Sequence, residues 1–236
     1  RFGEAFEVYT RSELPQDWAL TQGNLGTALF VLGTRIGGEE GNRHLLEAVT
    51  AYRNTLDVYT QDELPQEWAA KQNDLGVALS QLANCGGGEE GNRYLLEAVA
   101  AYRNALEVRT RRELPQDWAM TQYNLGAAFQ ELGQRASGAS GQEGDRYLFD
   151  AVAAFRNALE VYTQGELPQD WAATQFNLGT VLSLLDDPGG GREGTQHLLE
   201  AVEAYRNALK VYRQGELPAQ WAATQLNLGN ALVQLS

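Results

Sequence analysis

The sequence predicts an all-α protein, a right-handed superhelical solenoid built from antiparallel helix pairs. The block Glu-Leu-Pro-x-x-Trp-Ala occurs five times, and its successive tryptophans are 50, 50, 53 and 50 residues apart. Apolar residues follow each block at helical spacing, and glycine-rich stretches interrupt the pattern. A period of this size is typical of stacked supersecondary units, none of which buries its apolar face alone. The tryptophans are Trp18, Trp68, Trp118, Trp171 and Trp221.

The first helix of each unit, here called first-type, is predicted over residues 15–32 in the first complete repeat. Proline suits the first helical position because its missing N–H would have no partner there. Asp17 adds a carboxylate near the positive end of the helix dipole. One continuous stripe follows at helical spacing, formed by Trp18, Gln22, Leu25, Leu29 and Leu32.

Each first-type helix also carries a glycine in its interior. Glycine costs about 1 kcal/mol relative to alanine inside a helix, so its recurrence indicates that a neighbouring helix approaches closely. The equivalent residues are Gly26, Gly76, Gly126, Gly179 and Gly229.

The second helix of the unit, here called second-type, is predicted over residues 43–61 after a glycine-rich break over 34–42. Arg53 and Asp57 are four residues apart and are expected to form an exposed ion pair. The similar stretch at 86–91 lacks the Lys-Ser/Thr of a phosphate loop and the alternating acids of a calcium loop. It is therefore predicted to be a flexible helix connection.

The units predict one solenoid over residues 1–236. It would consist of half a helix pair (1–12), four repeats (13–62, 63–112, 113–165 and 166–215) and an unpaired helix (216–236). Solenoids normally end in polar capping units, and neither end of this sequence has one. We therefore expect an excerpt from a longer array, or ends that pair with another copy.

Composition limits the functional classes. The net charge is −13, which argues against nucleic-acid binding because that affinity comes from Lys and Arg at phosphates. No apolar run approaches the roughly 18 residues that a membrane span needs. Cys85 is the only cysteine, so an intrachain disulfide and a cysteine-based zinc cluster are excluded, and a cytoplasmic origin is the default.

Catalytic chemistry is not indicated. The sequence has no His–Glu metal spacing, no Gly-x-Ser-x-Gly elbow and no phosphate loop. His44 and His197 are the only histidines, and tyrosines (Tyr94 and Tyr147) take the equivalent places in other repeats. We therefore expect both histidines to be packing residues, and the protein to be no enzyme, with no cofactor and no metal.

The units resemble the tetratricopeptide repeat over essentially the whole chain. Family positions are matched by the Leu-Gly pair of each first-type helix, by an alanine followed four residues later by an aromatic residue, and by the proline that closes the unit. In the first unit these residues are Leu25, Gly26, Ala48, Tyr52 and Pro65.

Two departures from the tetratricopeptide pattern make the chain similar to a particular variant of the family. The family unit has 34 residues and this one has 50, with extra residues in the glycine-rich stretch and in longer helices. The tryptophan lies one turn before its family position, where this chain has Gln22 and its equivalents. The chain is similar to the long bacterial variant with the signature Leu-Pro-Gln-Asp-Trp-Ala, in which repeats often accompany a signalling ATPase or a caspase-like peptidase.

By this resemblance, residues at equivalent positions of the first-type helices line a concave groove for a protein or peptide partner. An apolar strip on such a groove suits an amphipathic helix or an extended peptide. The alternatives are that these residues only pack against adjacent repeats, or that the strip contacts a capping helix that the sequence lacks. The candidate groove residues are Gly23, Asn73, Met120, Tyr123, Phe176, Leu226, Thr27, Val77, Thr180 and Asn230.

Two other recurring positions have structural interpretations. Asparagines recur beside the groove, with Asp74 in one repeat, at a position that clamps peptide C-termini in some family members. Because few cations accompany them, we expect an inter-helix hydrogen bond instead. Recurring arginines of the second-type helices are expected to pair with nearby acids. These arginines are Arg53, Arg103, Arg156 and Arg206.

Three functions follow. The first is a non-catalytic interaction scaffold that receives a peptide or helix in its groove. The second is self-association through the uncapped ends into a homo-oligomer, with Phe2, Phe6, Leu228 and Leu232 as the contacts. The third is a sensor arm that regulates an ATPase or caspase-like effector. None involves nucleic acid or a membrane.

Overall fold

A computed structural model describes residues 9–136, 141–185 and 192–236, and these ranges contain nine α-helices and no strand. The predicted all-α class is therefore confirmed for the described ranges. None of the helices there combines the length and apolarity needed to cross a bilayer.

The chain divides into two compact units, one ending at Glu113 and the other beginning at Leu114. Within each unit, a first-type helix packs against the second-type helix that follows it, and each second-type helix packs against the next first-type helix. The first unit contains α1 (Pro15–Ile36), α2 (Gly38–Leu56), α3 (Pro65–Cys85) and α4 (Gly88–Val108). The second contains α5 (Pro115–Ala136), α6 (Gly141–Leu159), α7 (Pro168–Leu184), α8 (Arg192–Ala208) and α9 (Pro218–Gln234).

The recurring Thr-x-x-Glu-Leu-Pro segment forms the turn that leads into a first-type helix. The Glu13 N–H donates to the Thr10 hydroxyl at 3.3 Å, and the Leu14 N–H donates to the Thr10 carbonyl at 2.9 Å. Pro15 then begins α1, as the sequence predicts. Thr60, Thr110 and Thr163 accept the same side-chain bond from their own glutamates, so the recurrence of this segment has a local structural cause.

The glycine-rich stretches differ from the prediction. α2 begins at Gly38 and α4 at Gly88, about five residues earlier than expected for the first of these. A Cβ atom at Gly33 would lie 2.8 Å from the Gly41 carbonyl oxygen, so these two glycines let α1 and α2 approach closely. The predicted flexible connection over 86–91 is therefore mostly the first turn of α4, and only Gly86 and Gly87 lie between α3 and α4.

The interior glycines of the first-type helices contact an aromatic ring of the next helix. A Cβ atom at Gly26 would lie 2.8 Å from Cε1 of Tyr52, closer than real Cβ contacts come. Those rings are buried, so the contact lies in the core of each pair. This explains why each pair keeps a glycine in the helix despite its cost. The other three contacts are Gly76 with Tyr102, Gly126 with Phe155, and Gly179 with Tyr205.

Contacts between successive pairs use the recurring tryptophan. Trp171 packs against the cluster of Ala119, Ala158 and Tyr162 and also against the cluster of Ala172, Ala208 and Tyr212. It therefore joins the α5–α6 pair to the α7–α8 pair.

Ion pairs also join successive second-type helices. The Arg156 guanidinium lies 2.6 Å from the Glu200 carboxylate, and Arg53 pairs with Glu97 in the same way. The predicted pair of Arg53 with Asp57 is therefore wrong, since Asp57 instead pairs with Arg11 at 3.2 Å. The error arose because sequence spacing shows neighbours along one helix and not those on the next pair.

Candidate protein-binding surface

The candidate groove residues of the second unit lie on three neighbouring first-type helices. Met120 and Tyr123 are on α5, Phe176 and Thr180 on α7, and Leu226 and Asn230 on α9. α7 contacts both α5 and α9. These six residues therefore lie on adjacent first-type helices of the second unit.

Tyr123 has both a surface and a packing role. It is half-buried, with its ring edge against Phe155 at a centroid distance of 5.8 Å. Its hydroxyl accepts a hydrogen bond from the Asn177 side-chain amide at 3.0 Å, which links α5 to α7. Burial raises the pKa of the Tyr123 phenol above its ordinary value. Much of this side chain therefore serves packing between helices, which was the alternative to groove lining.

The bond from Asn177 confirms the inter-helix hydrogen bond expected at the recurring asparagine position. Asp74 takes that place in α3 and pairs with Lys71 of the same helix at 2.7 Å. Both side chains are thus engaged within the protein.

Phe176 contributes one face to packing and another to a cavity. Its ring lies 6.0 Å from that of Tyr205 and packs on the cluster of Ala172, Ala208 and Tyr212. Phe176 also lines a cavity of about 290 Å³. The cavity is lined by Phe176, Tyr212, Ala219, Gln220 and Ala223.

The residues that α9 contributes to the cavity lining are small or uncharged. The fifth repeat has Ala219-Gln220 where the first has Gln16-Asp17, so α9 begins without an acidic residue in its first turn. Leu226, one turn beyond Ala223, is 65% exposed. Sequence reasoning missed Tyr212, Ala219, Gln220 and Ala223; the departure from Pro-Gln-Asp was the available signal.

Two tyrosines next to the surface have strongly shifted acidities. Burial raises the pKa of Tyr162 to about 12, and the nearby Asp170 carboxylate adds to the shift. Burial also raises the pKa of Tyr212 to about 12, with smaller contributions from Tyr123 and Asp170. Both phenols are therefore neutral hydrogen-bonding groups at physiological pH.

The candidate residues of the first unit are engaged mainly in packing. Gly23 and Asn73 are buried, and a Cβ atom at Gly23 would contact the Lys71 side chain at 3.4 Å. Thr27 accepts a hydrogen bond from the Tyr52 hydroxyl at 3.3 Å, and Val77 is half-buried. Thr27 is exposed, and the other three positions are buried or half-buried.

In the second unit, Thr180 is likewise held by a second-type tyrosine. The Tyr205 hydroxyl donates to it at 3.4 Å. Asn230 is exposed and borders a cleft of about 250 Å³ together with Thr180, Ser183 and Tyr205.

The residues predicted for self-association divide into two groups. Leu228 is half-buried and Leu232 is 43% exposed, both on α9. Phe2 and Phe6 lie outside the described residues.

The histidines contact neighbouring groups. His197 lies with Nδ1 3.3 Å from the Leu185 carbonyl oxygen and its ring edge against Phe149. His44 lies 3.6 Å from the Glu47 carboxylate of the same helix. Over residues 9–136, 141–185 and 192–236, no group of three His, Cys, Asp or Glu side chains is placed to hold a metal ion.

No protein-family model matches the chain, and no curated protein matches it with significant similarity.

Proposed function

We propose that the protein is a non-catalytic interaction scaffold, whose first-type helices receive a peptide or helix of a protein partner. We propose further that its units stack as a right-handed superhelix of the tetratricopeptide type, in its long-repeat form. The observation that carries the proposed function is the cavity beside Phe176.

The size and lining of this cavity favour one apolar side chain as its occupant. Small-molecule sites commonly measure about 300–1,000 Å³, so a cavity of about 290 Å³ is small for a cofactor. Phe176, Ala219 and Ala223 supply apolar walls. A leucine, methionine or phenylalanine of a partner would be desolvated there, as anchor residues of interfaces are.

Two polar residues of the lining suit a peptide backbone. The neutral Tyr212 phenol and the Gln220 amide can each exchange hydrogen bonds with main-chain groups. Leu226 lies close along α9 and gives the partner a second apolar contact. An amphipathic helix binds with anchors three or four residues apart, which matches two apolar sites on one helix.

The test is selection of peptides from a random display library against the wild-type protein, followed by affinity measurement on an Ala223→Leu variant. The added leucine atoms would occupy the cavity, so selected peptides should bind at least about tenfold more weakly. Ala153→Leu is the matched control, because Ala153 is exposed on α6. Peptides that bind wild type and Ala223→Leu equally would refute the proposed site.

Self-association is a second candidate, favoured by two open apolar surfaces. A groove of about 460 Å³ between α1 and α2 is lined by Leu25, Leu29 and Leu46, among others. Leu232 is exposed on α9. Sedimentation over a hundredfold range of concentration distinguishes this candidate: a mass that rises, and that Leu232→Glu holds constant, would support it.

A further inference from the structure

The cleft beside Asn230 lies between α7 and α9, further along both helices than the cavity beside Phe176. It measures about 250 Å³ and is bounded by Thr180 and Ser183 of α7, by Tyr205 of α8 and, on the opposite side, by α9. Every described residue of its lining is uncharged. The cleft therefore has walls from helices on both sides and offers hydrogen bonds without a net charge.

The hydroxyl groups of the wall formed by α7 and α8 donate within the protein. The Thr180 hydroxyl donates to the Phe176 carbonyl at 3.0 Å, and the Ser183 hydroxyl donates to the Thr180 carbonyl at 2.9 Å. The Tyr205 hydroxyl donates to the Thr180 hydroxyl oxygen at 3.4 Å and also lies 3.4 Å from the Ser183 hydroxyl. This wall is therefore held by internal bonds, and its hydroxyl hydrogens are engaged.

The wall formed by α9 differs because it carries side-chain amides. Asn227, Asn230 and Gln234 are three and four residues apart, so they share one face of the helix. Among the described residues, none forms a hydrogen bond with these three side chains. Each amide has two N–H donors and a carbonyl acceptor. Unengaged donors and acceptors thus line one side of the cleft.

The equivalent asparagine of α7 has a partner that Asn227 lacks. The Asn177 side-chain amide donates to the Tyr123 hydroxyl of α5 at 3.0 Å. The residue of α7 in the place of Tyr123 is Phe176, which has no hydroxyl to accept such a bond. Because Asn227 is half-buried, its amide would be stabilised by an acceptor that a bound molecule brings.

A neutral carboxamide is the chemical group that matches this lining. It donates and accepts at once, as the amides of α9 do. A carboxylate or an ammonium group would lose hydration in the cleft, and the described lining has no opposite charge to offset that loss. An alkyl side chain would leave the amides without partners. The volume lies below the roughly 300–1,000 Å³ of small-molecule sites, which suits a single side chain.

We infer that the cleft is a second subsite of the proposed groove, where it binds the carboxamide side chain of an asparagine or glutamine of the partner. The inference rests on the proposed function, because it concerns another residue of the same bound peptide.

The distance between the two subsites sets the spacing of the two partner residues. Ala223 at the cavity and Asn230 at the cleft are two turns apart on α9, about 10 Å along its axis. The amide should therefore lie about seven residues from the apolar anchor in a bound helix, or about three residues from it in an extended segment.

The test uses the peptides that wild type selects from a random display library. We expect asparagine or glutamine at this spacing from the apolar anchor. Replacing that residue by leucine in a synthetic peptide should weaken binding to wild type roughly three- to tenfold, because hydrogen bonds are lost. Replacing glutamine by glutamate should weaken binding by a similar factor, because the carboxylate is desolvated without a partner charge.

The variant Asn230→Lys should reverse the preference between glutamine and glutamate. Asn230 is exposed, so the fold should tolerate the change, and the added ammonium group would pair with a carboxylate in the cleft. The glutamate peptide should then bind more tightly than the glutamine peptide. Asn84→Lys is the matched control, because Asn84 is an exposed asparagine of α3. That variant should prefer glutamine, as wild type does.

The outcomes separate this inference from the proposed function. Peptides that have an apolar anchor and bind Ala223→Leu weakly, but show no amide at the second position, would overturn the inference alone. Enrichment of a charged or apolar residue there, or an unchanged preference in Asn230→Lys, would do the same. If wild type selected no peptide, or if the peptides bound Ala223→Leu equally, the proposed function would fail and the second subsite with it.

Discussion

The ring of Tyr205 lies so close to Gly179 that a Cβ atom at that glycine would be 2.8 Å from Cε1 and 2.9 Å from Cδ1. Neither partner has room to move freely, because Tyr205 is 1% exposed and Gly179 lies in the middle of α7. The absence of a side chain at this position is therefore a packing requirement of the α7–α8 pair.

This contact predicts opposite effects for the same substitution at two equivalent glycines. Gly179→Ala should lower the free energy of unfolding by about 1–3 kcal/mol, since the new methyl group forces the ring or the helices apart. Gly229→Ala should raise it by roughly 0.5–1 kcal/mol, because alanine is the better helix former and no described atom lies within 4 Å. Urea unfolding of the two variants beside wild type provides the measurement; shifts of the same sign would contradict the packing argument.

The bond between Asn177 and Tyr123 predicts a loss of stability without a loss of shape. Tyr123→Phe keeps the ring but leaves the half-buried Asn177 amide without its phenol partner. We expect the free energy of unfolding to fall by about 1 kcal/mol. Tyr94→Phe is a suitable comparison, because the Tyr94 hydroxyl bonds only to the exposed Glu90 of its own helix at 3.1 Å. An equal effect in both variants would show that the hydrogen bond between α5 and α7 does not contribute to the free energy of unfolding.

The raised pKa values of Tyr162 and Tyr212 predict alkaline destabilisation. Their pKa values are raised to about 12 in the folded protein, against about 10 in an unfolded chain. Between these pH values the unfolded chain loses protons that the folded chain keeps, so stability falls as the pH rises. Below about pH 10 both states hold the protons, and these groups cause no change with pH.

The measurement is urea unfolding at several pH values on either side of pH 10, with the double variant Tyr162→Phe/Tyr212→Phe. The decline should be shallower in the variant, because phenylalanine does not ionise. Some slope should remain, since burial also raises the pKa of Tyr102 and Tyr59. An unchanged slope would mean that these two phenols ionise as easily when folded as when unfolded.

The ion pair between Arg156 and Glu200 should contribute little to stability. Its charged groups are 2.6 Å apart, but both side chains remain substantially exposed. A double-mutant cycle with Arg156→Ala and Glu200→Ala should give a coupling of roughly 0.2–1 kcal/mol that decreases with added salt. A coupling of about 3 kcal/mol, typical of buried pairs, would contradict this picture.

The sequence predicted the start of the first-type helices and the need for their interior glycines. Both depend on local rules: proline favours the first helical position, and a recurring glycine in a helix needs a close neighbour. The positions of these glycines and their close contact with a neighbouring helix were therefore predictable. The structure shows that the contacting groups are the rings of Tyr52 and its equivalents.

The glycine-rich stretches and the cavity were harder to predict. Glycine normally breaks a helix, but Gly41 lies in the first turn of α2, where the backbone of α1 at Gly33 comes very close, so the low helix propensity of glycine is offset by packing. The cavity beside Phe176 depends on residues from α7, from the segment after α8 and from α9. Spacing along one helix carries no information on such an arrangement.

Tyr123 shows why the candidate site was only partly predictable. It was predicted to line a groove of the first-type helices, but its ring contacts Phe155 of α6 and its hydroxyl contacts Asn177 of α7. One side of a half-buried side chain packs against the protein and the other faces solvent. The sequence pattern does not show which side does which.

The exposed surface of α9 around Gly229 and Leu232 also affects the local opening of this helix. Described neighbours pack against one side of α9, and no acidic residue in its first turn stabilises the helix dipole. A helix supported on one side opens locally at a lower free energy than helices enclosed on two sides. Amide hydrogens of α9 should accordingly exchange with solvent sooner than those of α7.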